Sequence, residues 1–234
     1  MSAEAVTEDA IYERVLAAVR DQRLPPGTKL VEDRLAQAFG VSRTRIRPVL
    51  VRLANEQIVQ LTPHRGAAVA QPTAQEAREV FEARQLVEPP LVDRFVATAG
   101  EADLEALARN IADEEAARRD GNTAAAIRLA GDFHLLLAQA SGQRTLARML
   151  RELISRTSLV LMCHASPGLR DGCDCAAHRG LLAALRARDA RRATRLMRLH
   201  LRQLEAQLRQ TASADDGGPD LLALFAAPSP ERAA

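Results

Sequence analysis

Three arginines, Arg43, Arg45 and Arg47, stand at alternate positions in the stretch GVSRTRIRPVL (residues 40–50), and three histidines, His134, His178 and His200, are spread through the C-terminal half. The two sets point to different chemistries. A guanidinium fork can bind guanine O6 and N7, or a phosphate, bidentately, and a helix that enters the major groove end-on makes most of its contacts through its first turn. Three imidazoles can hold a divalent metal such as Zn or Ni and leave coordination positions open for a ligand. Arg84 adds one more fork, suited either to the carboxylate of an anionic effector or to an ion pair with Glu88 four residues on.

Residues 9–22 place Ile11, Val15, Leu16 and Val19 at helical spacing, and LPPGTKL then stops that helix. VEDRLAQAFG predicts a short amphipathic helix closed by Gly40. The segment after it carries one apolar stripe, Ile46, Val49, Leu50 and Leu53, with Ser42 as its cap. Two short helices around a glycine turn, the second beginning with basic side chains, form a helix-turn-helix pattern. IVQLTPHRGAAVAQ then reads as two strands around a Pro-His-Arg-Gly turn, a wing whose tip offers His64 and Arg65 to DNA. On the wheel of the basic helix the face opposite the stripe holds Thr44, Pro48, Val51 and Asn55, flanked by Arg47 and Arg52. Pro48 removes the N–H that would bond the Thr44 carbonyl, a cost of about 3 kcal/mol in a helix interior. Its place on the outer face lets a bend there follow the helix's natural curvature and re-aim Arg43–Arg45.

Charge supports this placement. From residue 40 to 70 there are five arginines against one acid, Glu56, whereas the chain beyond residue 72 holds 22 basic and 22 acidic residues. A polyanion-binding surface therefore belongs to the N-terminal third. With 47 % apolar residues but only 3 % aromatic ones, the cores must be built from Leu, Ala and Val, which favours helix. Pro72 and Thr73 mark a boundary, and helices are expected at 74–98, 102–119, 123–140, 143–163, 173–188 and 190–210, a bundle with short loops. The fold is thus mainly α, with a winged helix-turn-helix in residues 1–72, a helical domain in 73–210 and a tail in 211–234. The tail's composition predicts disorder, and its LLALF offers a weak docking segment. An odd number of cysteines, with no signal peptide and no apolar run of 18 residues, places the chain in a reducing cytoplasm and not in a membrane.

LPPGTKLVEDRLAQAFGVSRTRIRPVLVRLANEQIV (Leu24 to Val59) resembles the N-terminal pattern of GntR-family regulators. The resemblance implies that Arg34, Arg43, Thr44, Arg47 and the wing-tip residues His64, Arg65 and Gly66 contact double-stranded operator DNA. Arg45 stands where the family usually has Pro, and Pro48 where it usually has Glu, so Arg45 adds a contact the family's Pro cannot make. The helical domain resembles the FadR-type (FCD) effector domain through FEARQLVEP (81–89), FHLLLAQASG (133–142) and AAHRGLLAALRARDARRATRLMRLHL (176–201). In many such domains an Asp, a His four residues later and two further histidines bind a divalent metal, and an organic acid completes its coordination. Here Ala130, not Asp, precedes His134 by four, and Asp132 lies about 200° around the helix. That leaves a three-histidine site finished by water or effector. Cys173 and Cys175 before His178 raise the alternative of a mixed Cys/His site or a thiol sensor.

The function expected is that of a ligand-responsive transcription regulator, a repressor acting as a homodimer on a pseudo-palindromic operator, with a small organic acid as effector. A regulator that senses the metal itself is one alternative. A three-histidine metal hydrolase is another, disfavoured because no nucleophile–base pair, no phosphate loop and no acid but Asp132 lies near the histidines in sequence.

Overall fold

The computed structural model describes residues 6–164, 175–208 and 221–225. They fall into two compact units, one of residues 6–70 with 221–225, the other of residues 71–164 with 175–208.

In the first unit α1 (Glu8–Arg20) starts at Thr7, whose hydroxyl accepts from the Ala10 N–H at 3.1 Å. It buries Ile11, Val15, Leu16 and Val19, the stripe read from the sequence. A turn over Pro25–Thr28 (Thr28 N–H to Pro25 O, 3.1 Å) leads into β1 (Lys29–Leu30) and α2 (Glu32–Phe39). Gly40 then takes φ +65°, a left-handed conformation that ends α2 and aims α3 (Arg43–Asn55). β2 (Val59–Thr62) and β3 (Gly66–Val69) form the wing hairpin, with Thr62 opposite Gly66. The sequence predicts two strands, but the sheet has three, antiparallel in the order β1-β3-β2. β1 lies in LPPGTKL and is two residues long, too short for alternation to reveal it.

The second unit is a bundle of α4 (Ala74–Thr98), α5 (Glu101–Arg119), α6 (Thr123–Ala140), α7 (Arg144–His164), α8 (Ala176–Arg186) and α9 (Ala190–Ala206). Thr73 and Glu76 form a capping box at the start of α4, and Asn122 and Asp189 cap α6 and α9. Phe95, Leu107, Phe133, Leu185, Met197 and Leu201 meet in one core and are each fully buried. The expected helix to residue 188 stops at Arg186, because Arg188 adopts φ +55° and donates to the Val96 and Ala99 carbonyls at 2.9 and 2.7 Å. α9 ends at Ala206, short of the expected 210, and residues 173 and 174 lie outside the described residues.

The docking segment read in the tail is seen docked. Leu221–Phe225 forms a short helix, α10, in the first unit, packed on α2, with Leu221 and Phe225 buried.

Candidate functional site

α3 is divided as its wheel requires. Ile46, Val49, Leu50 and Leu53 are at most 3 % exposed, whereas Thr44, Pro48, Val51 and Asn55 face solvent. The helix runs through Pro48 without interruption. Ser42 occupies the N-cap position without capping: its hydroxyl shares a 2.7 Å hydrogen bond with that of Thr44. Arg43 and Arg47 are exposed but held. The Arg47 Nε and Nη2 donate to both oxygens of Glu32 at 3.0 and 2.9 Å, and the Arg43 Nε lies 2.8 Å from Asp33. Glu32 and Asp33 open α2, where carboxylates complement the helix dipole, and the hydrogen bond from Arg47 pulls the Glu32 carboxyl below its ordinary range. Solvent-exposed pairs of this kind contribute about 0–1 kcal/mol, so a phosphate can displace either carboxylate. Arg52, which the wheel puts beside this face, stays exposed but leans toward α1. It stacks over the Tyr12 ring at 3.7 Å and pairs with Asp9 at 2.7 Å, tying α3 to α1.

At the wing tip the Arg65 N–H closes a turn onto Thr62 O at 3.0 Å, with Pro63 second and His64 third at φ +63°. That order matches a type II turn. It leaves His64, Arg65 and Gly66 exposed, and Arg34 on α2 is exposed too, while Arg45 is half-buried.

The structure brings the three predicted histidines together. α6, α8 and α9 supply His134, His178 and His200, each at most 5 % exposed, with one ring nitrogen apiece within 4.8 Å of the others. Zn–N bonds of about 2.0–2.1 Å at tetrahedral angles put nitrogens about 3.4 Å apart, so the widest pair must close by more than about 1 Å around an ion. Two carboxylates orient them. His134 Nδ1 lies 2.5 Å from Glu88 on α4, and His178 Nδ1 lies 2.9 Å from Glu114 on α5. Burial alone would raise both carboxyls. At Glu88 the charges of Arg84 and His134 outweigh it and hold the group at about 2; at Glu114 the hydrogen bond and charge of His178, then those of Arg118, pull it down. Burial lowers His134 to about 4 despite Glu88, and it holds His200 well below the usual imidazole range, with His178, His134 and Arg84 adding to it. A neutral imidazole beside an ionised carboxylate carries its proton on Nδ1, which leaves Nε2 free as a metal ligand. The Nε2 atoms of His178 and His200 are buried with no hydrogen-bond partner, a state an ion would relieve. The residues present therefore fit a divalent metal.

A cavity opens beside the histidines. It has about 50 Å³ of space for the centres of water-sized molecules, and its wall includes Arg84, Arg118, Ala130, His134, Thr157 and His200. Of the two uses read from its sequence position, Arg84 makes the ion pair with Glu88. Its Nε donates to Glu88 at 2.7 Å, while Nη2 is buried without a hydrogen-bond partner, and the residue forms part of the cavity wall. Ala130 contributes wall where a carboxylate is usual in the family it resembles, and Asp132 pairs with Arg128 at 3.0 Å, outside the cluster. Thr157 and Ser158 return their hydroxyls to carbonyls one turn back on α7.

Asp132 is the one acid near the histidines in sequence, but in space Glu88 and Glu114 reach them from 46 and 64 positions away. Arg118, whose Nη2 pairs with Glu114 at 2.6 Å, has no counterpart in the sequence reading either. Within IADEEAARR this pair looks like an ordinary solvated i,i+4 contact. Cys173 lies outside the described residues. Cys175 occupies the N-cap position of α8 without capping it, buried, with its thiol pushed up by burial and by Glu114, and it does not join the three converging nitrogens.

Comparison with known proteins agrees with both halves. Residues 7–69 match the model of the bacterial regulatory proteins of the gntR family, and residues 79–203 match the FCD domain. The HTH-type transcriptional repressor RspR of Escherichia coli (strain K12) is 26 % identical over 193 residues, 80 % of this chain and 82 % of its own. The HTH-type transcriptional repressor GlaR of the same strain is 30 % identical over 186 residues, 75 % and 84 % of the two chains. A putative transcriptional regulator GntR from Rhodococcus sp. RHA1 shares the fold, with a TM-score of 0.76 at 23 % identity over 86 % of this chain and 96 % of that one. With a winged helix-turn-helix matched to one family model and a histidine-bearing bundle matched to the other, the chain belongs to the GntR family of transcription regulators, in its FCD-domain branch.

Proposed function

We propose that this regulator binds a pseudo-palindromic operator as a homodimer in the cytoplasm, through Arg34, Arg43, Thr44, Arg45, Arg47 and the wing tip His64–Gly66, and releases it when a small organic acid enters the helical domain. Both named Escherichia coli relatives are called repressors, which favours repression here.

The observation that carries the ligand reading is a cluster of three buried histidines beside a cavity whose wall holds two of them, His134 and His200, together with two arginines that have unsatisfied nitrogens, Arg84 Nη2 and Arg118 Nε. His134, His178 and His200 would hold a divalent ion such as Zn or Ni, whose contribution is Lewis-acid attraction for a carboxylate. Arg84 donates to the same carboxylate, and Glu88 and Glu114 fix the imidazoles that face it. With Ala130 in place of an acidic ligand, the effector itself brings the anionic group that three neutral imidazoles lack. The small and largely apolar cavity favours an acid of a few carbons. For such a ligand to regulate, it must bind one arrangement of the dimer better than another.

Selection of duplexes from a random pool by the full-length protein tests the DNA half. A half-site repeated with two-fold symmetry is expected, with log K falling linearly against log[salt]. A flat salt dependence refutes operator binding.

A further inference from the structure

The C-terminal segment supplies an interaction that neither the family assignment nor the ligand site calls for. LLALF is an apolar island in a stretch rich in Ala, Gly, Pro and Asp. A five-residue helix does not persist alone in water, so α10 is helical only because it is docked. Its docking is specific. The Phe225 ring lies 4.9 Å from that of Phe39, the last residue of α2, and Phe225 and Leu221 are 2 % and 3 % exposed. Arg14 of α1 joins both, its guanidinium 4.7 Å from the Phe39 centroid and 6.0 Å from that of Phe225, with Nη2 donating to the Phe225 carbonyl at 2.9 Å. A helix C-terminus presents unsatisfied carbonyls, so an arginine there answers both the hydrogen bond and the dipole.

We infer that the surface formed by Arg14 and Phe39 is a docking site for the chain's own segment Leu221–Phe225, which straps the first helix of the helix-turn-helix. The strap has a consequence for signalling. α9 carries His200 and ends at Ala206, and the chain that continues from it reaches α10. The DNA-binding unit is thereby joined covalently to the histidine-bearing unit twice, once at residues 70–71 and again through the tail. The docking itself does not depend on the metal or effector reading.

Hydrogen exchange of the full-length protein tests it. In Phe225→Asp, and in a chain ending at residue 208, exchange in residues 32–40 rises about tenfold or more, as loss of a buried aromatic anchor requires, while the wing strands keep their protection. Phe225→Leu retains most of the protection. A synthetic peptide of residues 217–229 added to the shortened chain restores it. Unchanged exchange at residues 32–40 in both variants, a rise spread evenly over residues 6–70, or failure of the peptide to restore protection overturns the inference.

Discussion

Replacing Glu88 by Ala tests the buried network at its centre. Arg84 and Glu88 are each 1 % exposed, 2.7 Å apart, and Glu88 also accepts the hydrogen bond from His134 Nδ1. Removing the carboxylate strands a guanidinium in the core and leaves an imidazole N–H unpaired. Breaking one side of such a pair costs about 3–5 kcal/mol, because the remaining charge has no water to return to. In a protein of this size each kcal/mol lowers Tm by about 2–4 °C, so the helical unit should melt about 6–20 °C lower. The double variant Arg84→Met/Glu88→Leu removes both charges and keeps the volume, and should recover most of that loss. Scanning calorimetry of the full-length protein follows both variants, and Zn titration of Glu88→Ala should show affinity reduced about 10–100-fold through loss of imidazole orientation. If Glu88→Ala costs less than about 1 kcal/mol, or if the double variant is no more stable than the single one, the pair does not hold a buried charge and the reasoning fails.

Three further outcomes follow from particular contacts. Ala130→Asp supplies an anionic ligand one turn before His134, so Zn affinity measured by titration calorimetry should rise about tenfold without added acid, and added acetate should no longer strengthen it. Gly131→Ala puts a Cβ 2.9 Å from Ile154 Cγ2, across the α6–α7 packing, and should lower stability by about 1–3 kcal/mol in thermal melts. Glu32→Gln frees Arg47 and should strengthen operator binding by up to about fivefold, whereas Arg47→Gln should weaken it and reduce the salt slope by about one.

The helix-turn-helix was legible because its signals are local. A glycine that must adopt positive φ, a 3.6-residue stripe and arginines in one first turn all lie within 16 residues of Gly40. The histidines were legible individually, through their settings in a family pattern. Their supports were not, since Glu88 and Glu114 reach the site by tertiary packing and look in sequence like surface i,i+4 partners of Arg84 and Arg118. The pairing of Arg47 with Glu32 was hidden for the same reason: it joins two helices across a turn. β1 is too short to show a period, and α10 is helical only through what it packs against, so composition alone reads its surroundings as tail. Pro48 remains the point where sequence and structure pose one question. It sits exposed on the outer face of an unbroken α3, opposite the buried stripe, and operators selected by Pro48→Glu and Arg45→Pro should differ from those of the parent protein.

The most direct measurement is the operator affinity of the full-length protein, loaded with Zn, across a series of short carboxylic acids at fixed salt. At least one acid should change that affinity by about 5–150-fold, the range of a 1–3 kcal/mol coupling, and Arg84→Met should abolish the change while DNA binding without acid persists. An operator affinity that is the same with every acid, with and without metal, would contradict the account.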